Sequence, residues 1–89
     1  MIVEFDKSFS KSLDKIKDPT ILQRTEKTIL KLEKASSLKD IKNLKKLSGF
    51  KNYYRIRVGD YRIGVEQIDQ KTLRLIIMAH RKDIYKKIP

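Results

Sequence analysis

Three arginines crowd one short stretch of this 89-residue chain, "YYRIRVGDYRIG", residues 53–64. Guanidinium groups grip phosphate through paired N–H donors and stabilise charge developing on phosphoryl oxygens. A second group follows in "HRKDIY", where His80, Arg81 and Tyr85 add an imidazole, a guanidinium and a phenol. An imidazole suits either direction of proton transfer near neutral pH. Tyrosines stack on splayed bases or donate a proton. Such a set suits phosphodiester transfer in which RNA supplies its own 2′-hydroxyl as nucleophile. A metal site is not expected, because there is one histidine, no cysteine, and no acidic cluster beside His80. No cofactor is expected either. No glycine-flanked serine elbow suggests a serine nucleophile.

A hairpin must position the arginines. Gly59-Asp60 is a tight-turn signal between two runs rich in tyrosine, isoleucine and valine. A two-residue turn sets Val58 opposite Tyr61, Arg57 opposite Arg62, Ile56 opposite Ile63 and Arg55 opposite Gly64. Alternation then puts Tyr54, Ile56, Val58, Tyr61, Ile63 and Val65 on one face, and Arg55, Arg57 and Arg62 on the other. Like charges directly opposite one another are unfavourable in a sheet. Local conflict of this kind is expected where a site awaits a ligand. A solvated face on an ordinary amphipathic hairpin is the plain alternative. His80 in isolation is more often structural than catalytic, and Arg81 beside Lys82 also reads as surface charge. Tyr53 and Tyr54 differ in parity, so one of them faces the core. Glu66 shares parity with Arg62 and reads as an ion-pair partner. The side taken by His80 depends on strand register. If the strands lie side by side, the His80–Tyr85 segment sits near Arg62 and all these groups share one groove.

Charge supports an anionic partner. Lys and Arg total 22 against 11 acidic residues, a formal net charge of +11. Residues 1–18 are balanced, with four lysines and four acids. Residues 39–62 hold eight basic and two acidic residues, and residues 80–89 hold four and one. The excess therefore surrounds the hairpin and the tail, which points to nucleic acid, an acidic protein or an anionic membrane surface. Lys45, Lys46, Lys51 and Tyr54 join the arginines as candidate RNA contacts, a solvated lysine edge being the alternative. Without cysteine there are no disulfides. The start "MIVEFDKS" lacks a signal-peptide apolar core, and "LIIMA" is far too short to span a bilayer. A cytoplasmic protein is the default, with no membrane partner.

The length allows one domain over residues 1–89 with a modest core. Ile2 to Phe5 reads as a strand. Asp6 or Ser8 caps a helix whose Phe9, Leu13 and Ile16 form one stripe. Asp18-Pro19 restarts the helix, with Asp18 as N-cap and Pro19 at the first position. Ile21, Thr25, Ile29, Leu32 and Ala35 then keep helical spacing to an end near Ser36-Ser37. In residues 38–50, Leu38, Ile41, Leu44 and Leu47 recur every third position. That spacing suits a 3₁₀-like or extended segment pinned along the core, and a loop is favoured over a short basic helix. Strands are expected at 52–58, 61–68 and 72–80. In the last, Leu73, Leu75, Ile77 and Ala79 share one face, and Arg74, Ile76, Met78 and His80 the other. The tail, 81–89, suggests one helical turn. The fold class is α+β: β-α-α-β-β-β, a helical hairpin on a mainly antiparallel four-stranded sheet, with a short C-terminal helical turn.

"YYRIRVGDYRIGVE" followed by "AHRKDIYKKI" resembles the RelE/ParE superfamily of toxins from type II toxin–antitoxin pairs. The helical hairpin, "LKKLSGFKN" and the length fit as well, so the resemblance spans essentially the whole chain. It implies the same fold. For the RelE branch it implies cleavage of messenger RNA in the ribosomal decoding site. It maps the family's basic positions onto Arg55, Arg57, Arg62 and Arg81, its tyrosine onto Tyr85, and the histidine of several ribonuclease branches onto His80. Lysine is also used at the first two positions. The arginines here stay charged and are no proton carriers, so either His80 does more of the acid–base work or the mechanism rests mainly on charge stabilisation and orientation. The implied partners are a cognate acidic antitoxin in a higher-order hetero-oligomer, together with the ribosome and its message. The ParE branch implies a gyrase inhibitor instead. A non-catalytic RNA-binding module or an inactive toxin is the third reading.

Overall fold

A computed structural model describes residues 1–87. Four of the five strands arise where alternation places them. They are β1 (Ile2–Phe5), β3 (Tyr53–Val58), β4 (Tyr61–Asp69) and β5 (Thr72–His80), with β2 (Leu44–Lys46) as the fifth. The helices are α1 (Lys7–Asp14), α2 (Pro19–Lys34) and a short α3 (Ile84–Lys87). Ile88 and Pro89, the end of the expected C-terminal turn, lie outside the described residues. The sheet runs β1-β5-β4-β3-β2, with β1 parallel to β5 and the other neighbours antiparallel.

Both helix starts follow from their caps. Asp6 accepts from the Ser8 N–H at 3.1 Å, and Asp18 accepts from the Thr20 N–H at 2.9 Å with Pro19 next in line. These bonds satisfy amide groups that a helix start otherwise leaves unpaired. The Ser8 bonds, with smaller help from Arg74, hold the Asp6 carboxyl below its ordinary value. Phe9 and Ile16 of the α1 region and Ile21, Thr25 and Leu32 of α2 turn inward. They meet Ile56, Val58, Ile63, Val65, Leu73, Leu75 and Met78 of the sheet in the main core. Leu22 and Leu30, beside the α2 stripe, stay exposed.

Two sequence expectations need correction. The sheet has five strands, not four, because part of the 3₁₀-like or extended segment expected at 38–50 pairs with the sheet. Leu38–Asp40 forms one 3₁₀ turn, and Leu44–Lys46 pairs with Tyr54–Ile56. Asn43, with φ 65°, swings the chain into line, and its carbonyl accepts from the Arg57 N–H at 3.2 Å. A threefold leucine spacing matches neither strand nor helix period, so pairing, not pattern, decided this segment. Leu38, Ile41 and Leu44 lie on the main core, but Leu47 crosses to the other side of the sheet.

The second correction concerns β5. Gly64 pairs with Ile77 while Val65 pairs with Leu75, so Ile76 is an extra residue. Such a bulge reverses the facing of everything beyond it. Leu73, Leu75 and Met78 therefore share the helix side, while Ile77 and Ala79 turn to the opposite face. Two α1 serines complete the bulge. The Ser8 hydroxyl donates to the Ile76 carbonyl, and the Met78 N–H donates to Ser12 Oγ at 2.9 Å.

Two outcomes test this frame. Ser12→Ala strands the Met78 N–H at the bulge and should destabilise by roughly 1–3 kcal/mol, read from the urea midpoint. Gly59→Ala places a Cβ at φ +60°, 3.0 Å from Arg24 Nη1 and Ile21 Cδ1. It should lose at least ~1 kcal/mol, and an unchanged midpoint would contradict the left-handed turn.

Candidate functional site

The β3–β4 hairpin has the register that its turn demands. Val58 faces Tyr61, Arg57 faces Arg62, Ile56 faces Ile63 and Arg55 faces Gly64. Gly59 at φ 60° makes the turn, and the Arg81 N–H donates to the Asp60 carbonyl at 2.8 Å. The start of the tail is thereby tied to the tip of the hairpin. On the face away from α1 and α2, Leu47, Ala79 and Ile84 form a second small core with Tyr53 and Ile77 packed against it. Ile84 is fully buried, which anchors α3 on this face, while Tyr85 beside it is 60% exposed.

The arginines stand at this second core. Arg62 is half-buried, and its Nη1 donates to the Gly59 carbonyl at 2.9 Å and the Tyr61 carbonyl at 3.0 Å. Burial lowers its pKa first, and the charges of Arg55, Arg57 and Arg81 lower it further. Tyr85 acts in the opposite sense. Arg62 is thus within electrostatic reach of all four groups. Arg55 is also half-buried, and its Nε is buried with no hydrogen-bond acceptor. Arg57 and Arg81 are exposed. Among the described residues the one ion pair is Arg74 with Asp6, so no carboxylate neutralises the cluster. Concentrated guanidinium charge without a counter-ion favours binding of a polyanion.

His80 lies elsewhere. It faces Tyr61 across β4–β5, on the side of the sheet that carries α1, with ring centroids 5.7 Å apart and edge-on. The bulge at Ile76 leaves Ala79, not His80, opposite Arg62. The imidazole Nδ1 accepts from the Lys82 N–H at 3.2 Å. In the neutral ring the proton then sits on Nε2, which can donate but cannot accept.

The other candidates divide. Lys45 pairs with Arg55 and extends the basic face. Lys46 pairs with Tyr54, whose ring packs against the main core, so neither shares the arginine face. Lys51 is exposed in the loop before β3. Tyr53 and Phe50, which were not among the sequence's candidate contacts, meet edge-on at 5.9 Å beside the second core. Tyr53 shares parity with Arg55, the one signal that pointed to it. Glu66 makes no ion pair among the described residues. No group of three or more His, Cys, Asp or Glu among the described residues is placed to hold a metal. No described helix is long and apolar enough to cross a membrane.

Comparison with known proteins places this geometry in a family. The family model of the ParE toxin of the type II toxin–antitoxin system parDE matches residues 3–85. Toxin RelE3 of Methanocaldococcus jannaschii is 41% identical over 90 residues, covering all of both chains. The RelB–RelE antitoxin–toxin complex from Methanococcus jannaschii contains a chain of similar fold, with TM-score 0.79 and 38% identity over 97% of this chain and 99% of that one. A chain of the archaeal RelE–RelB complex from Pyrococcus horikoshii shares the fold at TM-score 0.70 and 23% identity, covering 90% and 93%. With its arginine-bearing hairpin on a helix-backed sheet, the chain belongs to the RelE/ParE superfamily of type II toxin–antitoxin toxins.

Proposed function

We propose that this toxin is a ribosome-dependent endoribonuclease whose site is the Arg55, Arg57, Arg62, Arg81 and Tyr85 face. The observation that carries the reading is the buried Arg55 Nε with no acceptor, set among uncompensated arginines. A phosphate oxygen is the acceptor it lacks. A buried donor without a partner is costly, and phosphate binding removes that cost along with the repulsion between Arg57 and Arg62.

The reaction follows from the groups present. The 2′-hydroxyl of the message attacks the adjacent phosphorus. An O2′–P bond forms and the P–O5′ bond breaks, leaving a 2′,3′-cyclic phosphate and a 5′-hydroxyl. Arg55, Arg57, Arg62 and Arg81 stabilise the negative charge that grows on the phosphoryl oxygens. The 2′-hydroxyl proton passes to solvent water, while Tyr85, on the exposed side of the anchored α3, orients the leaving O5′, gives it the phenolic proton and is reprotonated from solvent. Tyr53 and Phe50 offer ring surface to a neighbouring base. The ribosome holds the message so that the 2′-hydroxyl is in line, which the shallow face does not do by itself. When the toxin is idle, an acidic antitoxin covers the same face. The relative from Methanococcus jannaschii is seen in a RelB–RelE complex, which supports such a partner.

The match to the ParE family model gives a second reading, inhibition of DNA gyrase. A gyrase binder has no use for a guanidinium left without an acceptor, so the first reading is preferred.

On ribosomes programmed with a defined message, the wild-type chain should cut at the occupied A site and leave free RNA intact. Arg62→Ala and Arg81→Ala should each lower the cleavage rate roughly 10²–10³-fold while remaining folded. Full cleavage by both variants would remove the site assignment. In a parallel supercoiling assay, gyrase should be unaffected, and inhibition without any cleavage would move the protein to the ParE reading.

A further inference from the structure

We propose that the groove between α1 and the far end of β5 is a second phosphate site, which holds single-stranded RNA continuing past the arginine face. β1 pairs with β5 only over Thr72–Leu75, so Ile76–His80 has no strand along that edge. α1 crosses there and leaves a cavity of about 440 Å³. Lys11 and Lys15 enter it from the helix, His80 and Tyr61 from the strand ends, and Asp83 and Lys87 from the tail. Three lysines and one acidic residue thus line it.

The chemistry at the centre of this groove is that of a donor. The Lys82 N–H occupies His80 Nδ1, so the neutral ring offers Nε2–H. The Tyr61 ring, 73° to the imidazole, packs beside it. A phosphate in this cavity meets a fixed imidazole N–H and lysine ammonium groups that need no strict geometry. Continuity with the arginine face comes from the chain itself. His80 faces the helix side, whereas Arg81, the next residue, lies within electrostatic reach of Arg62. An RNA backbone rounding the end of β5 therefore passes from one cluster to the other. His80 then positions the strand and takes no part in proton transfer.

This proposal rests on RNA being the ligand of the arginine face, and its test separates the two. The whole chain, labelled at histidine, is titrated with a 2′-O-methyl RNA octamer, which lacks the attacking hydroxyl. The imidazole resonances of His80 should shift to saturation. Lys11→Ala/Lys15→Ala, at exposed positions, should weaken binding several-fold. It should also make the salt dependence shallower by about 0.7 for one lost phosphate contact. Arg57→Ala should weaken binding yet leave the His80 shift at saturation in place. Stationary His80 resonances, or an unchanged affinity and salt slope in the lysine variant, would overturn the second site. If binding is then still sensitive to Arg57→Ala, the arginine face survives. If wild-type protein does not bind RNA at all, the second site falls, and the arginine face is decided by cleavage on the programmed ribosome.

Discussion

The register of the β3–β4 hairpin, which sets Arg57 opposite Arg62, is the constraint around which the rest of the molecule is arranged. Two guanidinium groups face each other with no carboxylate between them. The arrangement persists because the opposite side of the same hairpin contributes Ile56, Val58, Ile63 and Val65 to the main core. A slip of one residue would bury the arginines and expose those four apolar side chains. Burial of each is worth roughly 1.5–3 kcal/mol, while like-charge opposition costs at most ~1 kcal/mol. Hydrophobic burial therefore sets the register, and the repulsion is carried as a consequence. The α1–α2 layer makes the charged face possible from the opposite side of the sheet, and the Gly59 carbonyl holds Arg62 at the turn.

The second determinant is the bulge at Ile76. It divides β5 into two halves of opposite facing. The first half supports the main core. The second sends Ile77 and Ala79 to the arginine face, where they receive Ile84 and dock α3. One extra residue thus builds the floor under Tyr85 and turns His80 away from the arginines. Ser8 and Ser12 make the bulge tolerable by bonding to Ile76 and Met78. These hydroxyls lie on a helix distant in sequence, so helix and bulge stabilise one another.

The arginine cluster and the second core are close neighbours of contrasting kinds. Burial lowers the Arg62 pKa, and the surrounding cations lower it further, yet a guanidinium stays charged at neutral pH. The face is therefore a permanent source of positive potential that no change near neutral pH can switch off. Only a ligand can neutralise it.

Much of this was legible in the residues themselves. Caps at Asp6 and Asp18, the alternation in 53–65 and the Gly59-Asp60 turn are short-range signals, and they led to the helices, the hairpin register and the facing of Arg55, Arg57 and Arg62. The resemblance to a toxin family also lay in those motifs. The placement of β2, the bulge and the side taken by His80 were decided only in three dimensions. Their causes are long-range. Leu44–Lys46 becomes a strand because β3 offers free backbone groups, and Ile76 is accommodated because α1 brings serines to it. Parity counted along a sequence assumes an unbroken strand, and one inserted residue reverses everything after it. For that reason Arg62 was placed correctly from local pattern alone, while His80, four positions beyond the bulge, required the folded chain.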